Sequence, residues 1–524
     1  MASHPRQIID AQLVELEACF PSPQKQIRDL KIRRNTYAII SKLPDDVLLE
    51  IFAVAQTIFP EDKWYREVTH VCHRWRCIAI EAATLWTNPP LLRHHFAMLA
   101  LERSKSADLT ICMESEFPHK TVKEVLNCIN RIENLKISLE MDSLDDICEL
   151  MATCGQQAAR LRRLTLHNLS GNTSWDSESL FGLSTVFCKL QLLRELVITN
   201  INFNWKNLPL RSLVSLIFTN VCFLVRVSTQ QLLDALRQMP QLESLRIPIP
   251  RSQFSLPSST TVTTSGAQAT LPRLIYLDLG DSDLQHAQWF LARLTLPRLR
   301  RMVMLTSWRD HYSGDDSLHI AHAIAMLVTN GDFGTFEALD LFNSHFHLRM
   351  SGRQRDDNPH LHFSMRNEGG KANPEFTQTF LDMFSLCHSN LSRLVELKIE
   401  KLSMTVDEIF KLSTSLCSLR QIEIFRSSAV VLAFINVLAM LPPHHPAQSD
   451  AEIPFPALRS IMFSFINFAS HPAILETLCD CLMLRYEYGV AIEELILLEG
   501  WVFSWQFSLL EEIVVDADCT AIIR

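Results

Sequence analysis

Leu161-Arg162-Arg163-Leu164-Thr165-Leu166 is followed by Leu193-Arg194-Glu195-Leu196-Val197-Ile198, then by Leu213-Val214-Ser215-Leu216-Ile217-Phe218 and Leu242-Glu243-Ser244-Leu245-Arg246-Ile247. The same L-x-x-L-x-L pattern, with substitutions, begins again at Leu274, Leu299, Phe336, Leu394, Leu419, Leu458 and Ile492, and an upstream copy begins at Ile132. Leu510-Glu511-Glu512-Ile513-Val514-Val515 reads as a terminal copy. Within each copy the last apolar pair is separated by one residue, which is the period of a strand.

Helix patterns fill the gaps. Ser228 with Gln231, Thr405 with Glu408 and Thr121 with Glu124 each read as a capping box ahead of an amphipathic run. The first six copies from Leu161 to Leu299 stand about 28 residues apart, inside the period of about 20–29 residues typical of leucine-rich repeats. Strand followed by helix, repeated about a dozen times, predicts an α/β region over 105–524: an irregular leucine-rich-repeat solenoid with parallel strands inside and helices outside. One such unit is too poor in apolar residues to fold alone, so neighbours must share a core.

The positions between the core pairs then line the concave face. They are Lys136, Thr165, Val197, Ile217, Arg246, Asp278, Val303, Asp340, Lys398 and Glu423, continued by Met462 and Ile496. This chemically mixed row suits a protein substrate better than phosphate. Polar insertions are expected near 250–272, 349–375 and 442–456; the first contains the Ser/Thr run Ser258–Ser265.

Composition narrows the chemistry. The 524 residues are 47% hydrophobic and 20% charged with a net charge of −9, so the chain folds and is a poor general binder of nucleic acid. Only 13 glycines occur, and no phosphate-cradle or nucleophile-elbow motif is present. The 14 cysteines form no C-x-x-C pair, which predicts free thiols in a reducing compartment, cytoplasmic or nuclear. Residues 1–38 read as a helical leader in two pieces rather than a signal peptide, and no apolar run is long enough for a membrane.

Residues 39–90 form a compact helical block. Pro44 with Asp45 and Asp46 suits a helix start. Val47, Leu48, Ile51 and Phe52 follow as an apolar stripe, and a second helix is expected through Val68, Val71, Cys72, Trp75 and Ala79. The block resembles the F-box family in three pieces in order: Leu43-Pro44-Asp45-Asp46-Val47-Leu48-Leu49-Glu50-Ile51-Phe52, then Val71-Cys72-His73-Arg74-Trp75, then Leu85-Trp86. Leader and block together resemble F-box proteins of mushroom-forming fungi.

That resemblance implies docking onto a Skp-type adaptor and, through it, a cullin–RING ubiquitin ligase, with the repeats holding a protein substrate. The implied adaptor-facing residues are Leu43, Pro44, Val47, Leu48, Ile51, Phe52, Val71, Trp75 and Trp86. Some of these must instead build the block's core. The expected function is thus a non-catalytic substrate receptor of an SCF-type ligase, with no cofactor and no metal. The histidine pairs His345/His347 and His360/His362 fit no structural zinc spacing. The rival readings are a repeat scaffold that binds the adaptor without directing degradation, and a hydrolase hidden in the insertions.

Overall fold

The computed structural model describes residues 5–17, 24–58, 64–114, 117–153, 158–169, 190, 192–203, 211–223, 227–250, 252, 254–256, 269–308, 314–333, 336–342, 345–350, 361–367, 376–387, 391–441, 453–520 and 522–523. The Ser/Thr run 258–265, His360 and most of the 442–456 insertion lie outside them. Two compact units divide the chain at Ile201 and Asn202.

The first unit opens with helices α1 (Pro5–Glu17), α2 (Gln24–Thr36), α3 (Asp45–Ile58), α4 (Trp64–Thr69), α5 (His73–Glu81) and α6 (His94–Arg103). The single helix expected through residues 68–79 is two. Cys72 is extended (φ −155°, ψ 171°) and caps α5, while the Arg76 guanidinium takes up the Thr69 carbonyl at 2.8 Å. Four parallel strands follow in the order β1 (Leu109–Met113), β2 (Ile132–Leu139), β3 (Arg163–Asn168) and β4 (Glu195–Thr199). Helices α7 (His119–Leu126) and α8 (Met141–Thr153) lie between them in sequence. Thr121 does not cap α7. The helix starts earlier, after Pro118, and Thr121 is buried with its hydroxyl 3.1 Å from His94 Nδ1.

The second unit contains a twelve-stranded sheet. Its strands are β5 (Ser215–Thr219), β6 (Ser244–Arg246), β7 (Tyr276–Asp283), β8 (Arg301–Trp308), β9 (Phe336–Phe342), β10 (His345–Met350), β11 (Leu361–Asn367), β12 (Glu396–Glu400), β13 (Gln421–Phe425), β14 (Ser460–Ser464), β15 (Glu494–Leu498) and β16 (Asp516–Cys519). The spatial order runs from β5 to β8, then β11, β10, β9, then β12 to β16. Every pair is parallel except those made by β10.

Among the described residues, eight helices of this unit follow one another as a second layer: α9 (Thr229–Arg237), α10 (Leu284–Leu291), α11 (Gly314–Asn330), α12 (Phe376–Leu386), α13 (Val406–Ser415), α14 (Ser428–Leu438), α15 (Pro472–Glu487) and α16 (Ser504–Ile513). Each touches the next in the series. The capping boxes of α9 and α13 form as read, Ser228 with Gln231 and Thr405 with Glu408. Along β12 to β15 alternate residues are buried and their neighbours partly open, so one sheet face is core.

Two expectations need correcting. The stretch 349–375 is not simply a polar insertion, because β11 lies within it and pairs with β8 and β10. Phe363 and Met365 are buried, which is why this segment joins the sheet. The terminal copy at Leu510–Val515 is mostly helix: Phe507 and Leu510 bury at helical spacing in α16, and the strand starts only at Asp516.

The scarcity of glycine leaves a mark. Asn200, Asn220, Lys401, Arg426, Phe465 and Glu499 all take positive φ, each directly after a strand end. A left-handed turn thus ends strand after strand without glycine, at a cost of about 1–2 kcal/mol per residue. The ladder hydrogen bonds Arg426 N to Ser464 O (3.0 Å) and Phe465 N to Leu498 O (2.9 Å) hold this geometry.

The cysteines divide by burial. Cys77 and Cys417 are exposed, whereas burial pushes the Cys387 thiol up to about 12 and those of Cys479 and Cys481 to about 11. Mass mapping after mild alkylation of the native protein should find Cys77 and Cys417 labelled first, and Cys387, Cys479 and Cys481 protected until denaturant is added. Early labelling of Cys387 would contradict this packing.

Candidate functional site

Helix α3 separates two faces. A helix turns 100° per residue, so Leu48, Phe52 and Ala55 share one side, and Val47, Ile51, Val54 and Ile58 share the adjacent one. The first side is core: Leu48 and Phe52 are fully buried with Val68, Ala79, Leu85, Trp86 and Ala100. The second side is open. Val47 is 36% exposed, Ile51 40%, Val54 56% and Ile58 68%. Four β-branched side chains in one exposed row are an apolar strip that its own domain does not cover.

The residues expected to face the adaptor therefore part company. Val47, Ile51, Pro44 and Val71 are exposed. Leu43 is half-buried against the block's core. Leu48, Phe52 and Trp86 face inward and are removed from the contact set, because a side chain with no exposed surface reaches no partner without unfolding. Trp86 donates its indole N–H to the Ala79 carbonyl at 2.7 Å. Trp75 packs on Phe52 with ring centroids 5.0 Å apart and serves the core as well. Val54 and Ile58 escaped the sequence reading. Continuing the four- and three-residue spacing past Ile51 finds both.

The chain leading into α3 is pinned by one side chain. Arg74 donates to the Ser41 carbonyl (2.6 Å), the Leu43 carbonyl (2.7 Å) and Asp45 Oδ1 (2.5 Å). Asp45 and Asp46 lie in the first turn of α3, where the helix dipole favours negative charge. Arg74 thus fixes how Leu43 and Pro44 enter the helix, and it binds α5 to α3.

The block continues into the strands of its unit. Phe96 and Ala100 of α6 pack on its core, and Phe96 lies 6.0 Å from the Trp86 ring and 4.4 Å from Tyr65. Thr110 of β1 donates to the Thr87 carbonyl at 2.9 Å. Arg103, whose pKa burial lowers, stacks its guanidinium 4.4 Å above Trp86.

The expected concave row is in register within each unit. Lys136, Thr165 and Val197 pair across β2, β3 and β4. Ile217, Arg246, Asp278 and Val303 pair across β5 to β8, and Asp340, Lys398, Glu423, Met462 and Ile496 across β9 and β12 to β15. Asp278 departs from the expectation of an open position. It is buried, bonded to Arg246 at 3.2 Å and to the Tyr276 hydroxyl at 3.1 Å. Burial and that carboxylate push the Tyr276 phenol up to about 12.

Strands β10 and β11 insert His347 and His362 into the same row, their rings 4.5 Å apart, with His345 stacked on Phe342 at 4.2 Å. Among the described residues no group of three or more His, Cys, Asp or Glu side chains is arranged to hold a metal ion, and no helix is long and apolar enough to cross a membrane.

No curated protein matches the chain. Residues 40–90 match the family model described as F-box-like, so the apolar strip of α3 belongs to an F-box-like domain.

Proposed function

We propose that the protein is a non-catalytic substrate receptor of an SCF-type ubiquitin ligase: the F-box-like domain grips a Skp-type adaptor, and a leucine-rich-repeat solenoid built from the parallel strands presents a protein substrate. The observation that carries this is the exposed strip Val47, Ile51, Val54 and Ile58 within residues matching a domain that typically binds such adaptors. Fully burying four such side chains contributes about 1.5–3 kcal/mol each, gross. Association costs about 4–15 kcal/mol, so the strip needs help from Pro44 and Val71 to give a stable complex. The repeat reading is supported by strand–helix units about 28 residues apart and by the in-register face between them. The chain's part in ubiquitin transfer is placement, raising the local concentration of substrate lysines near the charged enzyme. The narrower likeness to fungal F-box receptors belongs to the same reading.

Reconstitution with adaptor, cullin and RING subunits tests it. Captured substrate should gain ubiquitin only when the adaptor is present. Adaptor binding with no transfer to any captured protein would favour the scaffold alternative.

Arg74→Ala provides a finer probe. Two carbonyls and Asp45 lose their donor, so the entry to α3 loosens while the apolar core stays. Adaptor affinity should fall about tenfold with a loss of only about 1 kcal/mol in stability, and Arg74→Lys should recover part of it. Unchanged affinity would show that the entry geometry is irrelevant to docking.

A further inference from the structure

We infer that the open face of β12 to β16 is the docking surface for a positively charged, extended segment of a protein partner. This deepens the receptor reading and rests on it. The outward positions of these five strands carry six carboxylates, Glu396, Glu400, Glu423, Glu494, Asp516 and Asp518, against one ammonium, Lys398. These outward strand positions carry a net charge of −5, and at the rim Lys401 pairs with Glu400 at 3.7 Å.

The carboxylates are set in register, not scattered. Glu396 leads through Gln421 and Ser460 to Glu494 and Asp516, and the next row runs from Lys398 through Glu423, Met462 and Ile496 to Asp518. Five strands about 4.8 Å apart span about 19 Å, the reach of six or seven extended residues. Met462, Ile496, Phe425 and Leu498 lie partly open among the acids, so aliphatic stems of lysine and arginine find apolar contact as their heads find charge.

A second observation points the same way. The face already holds cations of its own chain on aromatic rings. Phe425 and Phe465 pack 4.8 Å apart, and the Arg426 guanidinium lies 4.3 Å from the Phe465 centroid and 5.1 Å from that of Phe425. Lys398 Nζ sits 5.5 Å from the Phe425 centroid and 3.2 Å from Glu423. Rings beside carboxylates are a setting that takes up guanidinium and ammonium groups. By contrast, the charges along the outward row of β5 to β8 balance, Arg246 and Arg301 against Asp278 and Asp281, with Asp278 already paired to Arg246. The sheet thus offers a cation its acidic end.

The test uses the full chain and a fluorescent ten-residue peptide of alternating Arg and Ala, with an alternating Glu and Ala peptide as control. The Arg peptide should bind at least about tenfold more tightly, and raising salt from about 50 to about 300 mM should weaken it at least about fivefold. Combined reversal by Glu494→Lys, Asp516→Lys and Asp518→Lys should remove at least about tenfold of that affinity, while Glu195→Lys on β4 should leave it unchanged. If the triple variant fails to fold by circular dichroism, Glu494→Gln with Asp518→Asn should still cost about threefold. Equal binding of the two peptides, or a folded variant that binds as the parent does, overturns the inference. Adaptor capture without peptide discrimination rejects this surface alone; peptide discrimination without substrate transfer in the assembled ligase rejects the receptor role alone.

Discussion

Ile51→Asp combined with Val54→Asp should abolish adaptor capture while the protein remains folded. Both side chains lie on the open side of α3, at 40% and 56% exposure, so the substitutions touch no core contact. In a complex each would bring an unpaired carboxylate into an apolar contact and forfeit the burial of a β-branched side chain. The loss should exceed about 100-fold in affinity, which corresponds to about 3 kcal/mol. Phe52→Ala provides the contrast. It removes a fully buried ring from the core cluster and should cost about 3–5 kcal/mol of stability, so any loss of capture would come with a lower melting temperature. Pull-down paired with thermal melting separates the two. If the Asp pair captures adaptor normally, the strip on α3 is not the contact.

Arg485→Ala should destabilise the second unit by about 3 kcal/mol, read by denaturant unfolding. Arg485 is fully buried, and the hydrogen bonds it donates run to the Pro454 carbonyl at 3.0 Å and the Phe455 carbonyl at 2.9 Å. Phe455 has φ +47°, a strained conformation for a bulky side chain. Truncating Arg485 leaves both carbonyls buried without that donor and frees the strained turn. Lysine cannot bridge two carbonyls as a planar fork does, so Arg485→Lys should recover less than half of the loss. Burial lowers the guanidinium pKa from its ordinary value to about 10. The unfolded chain then holds that proton more tightly than the folded one. The penalty of burying this charge is therefore constant below about pH 10 and is relieved as pH rises above that. A variant as stable as the parent would show that the buried charge is dispensable.

Much of the strand layout was readable because the alternation is local. In Leu164-Thr165-Leu166 and Ile422-Glu423-Ile424 the buried and open positions follow from adjacent residues, and the registers agree. The strands β10 and β11 were not readable. His345-Phe346-His347 and Leu361-His362-Phe363 alternate equally well, but their polar flanks resemble an insertion, and only pairing with β8 and β9 makes them sheet. At Leu510 two periods compete, and packing chooses the helix.

The front block shows the same limit. Motif order located it, but the motif alone did not divide its apolar residues between a partner and the block's own core. Whether Phe52 or Val54 faces outward depends on where α5 and Trp86 pack, and that is set by Arg74 and by the Trp86–Ala79 hydrogen bond. The acidic face of β12 to β16 likewise needed pairing, since Glu396 and Asp516 are 120 residues apart.

The packing of Phe96 and Ala100 of α6 on the core of the front block bears on proteolysis. A cut between residues 90 and 94 would strip α6 from the tryptophan it covers and uncouple Thr110 from Thr87. The two fragments would fray together. Clipping at that seam should therefore loosen the start of β1 as well as release the front block.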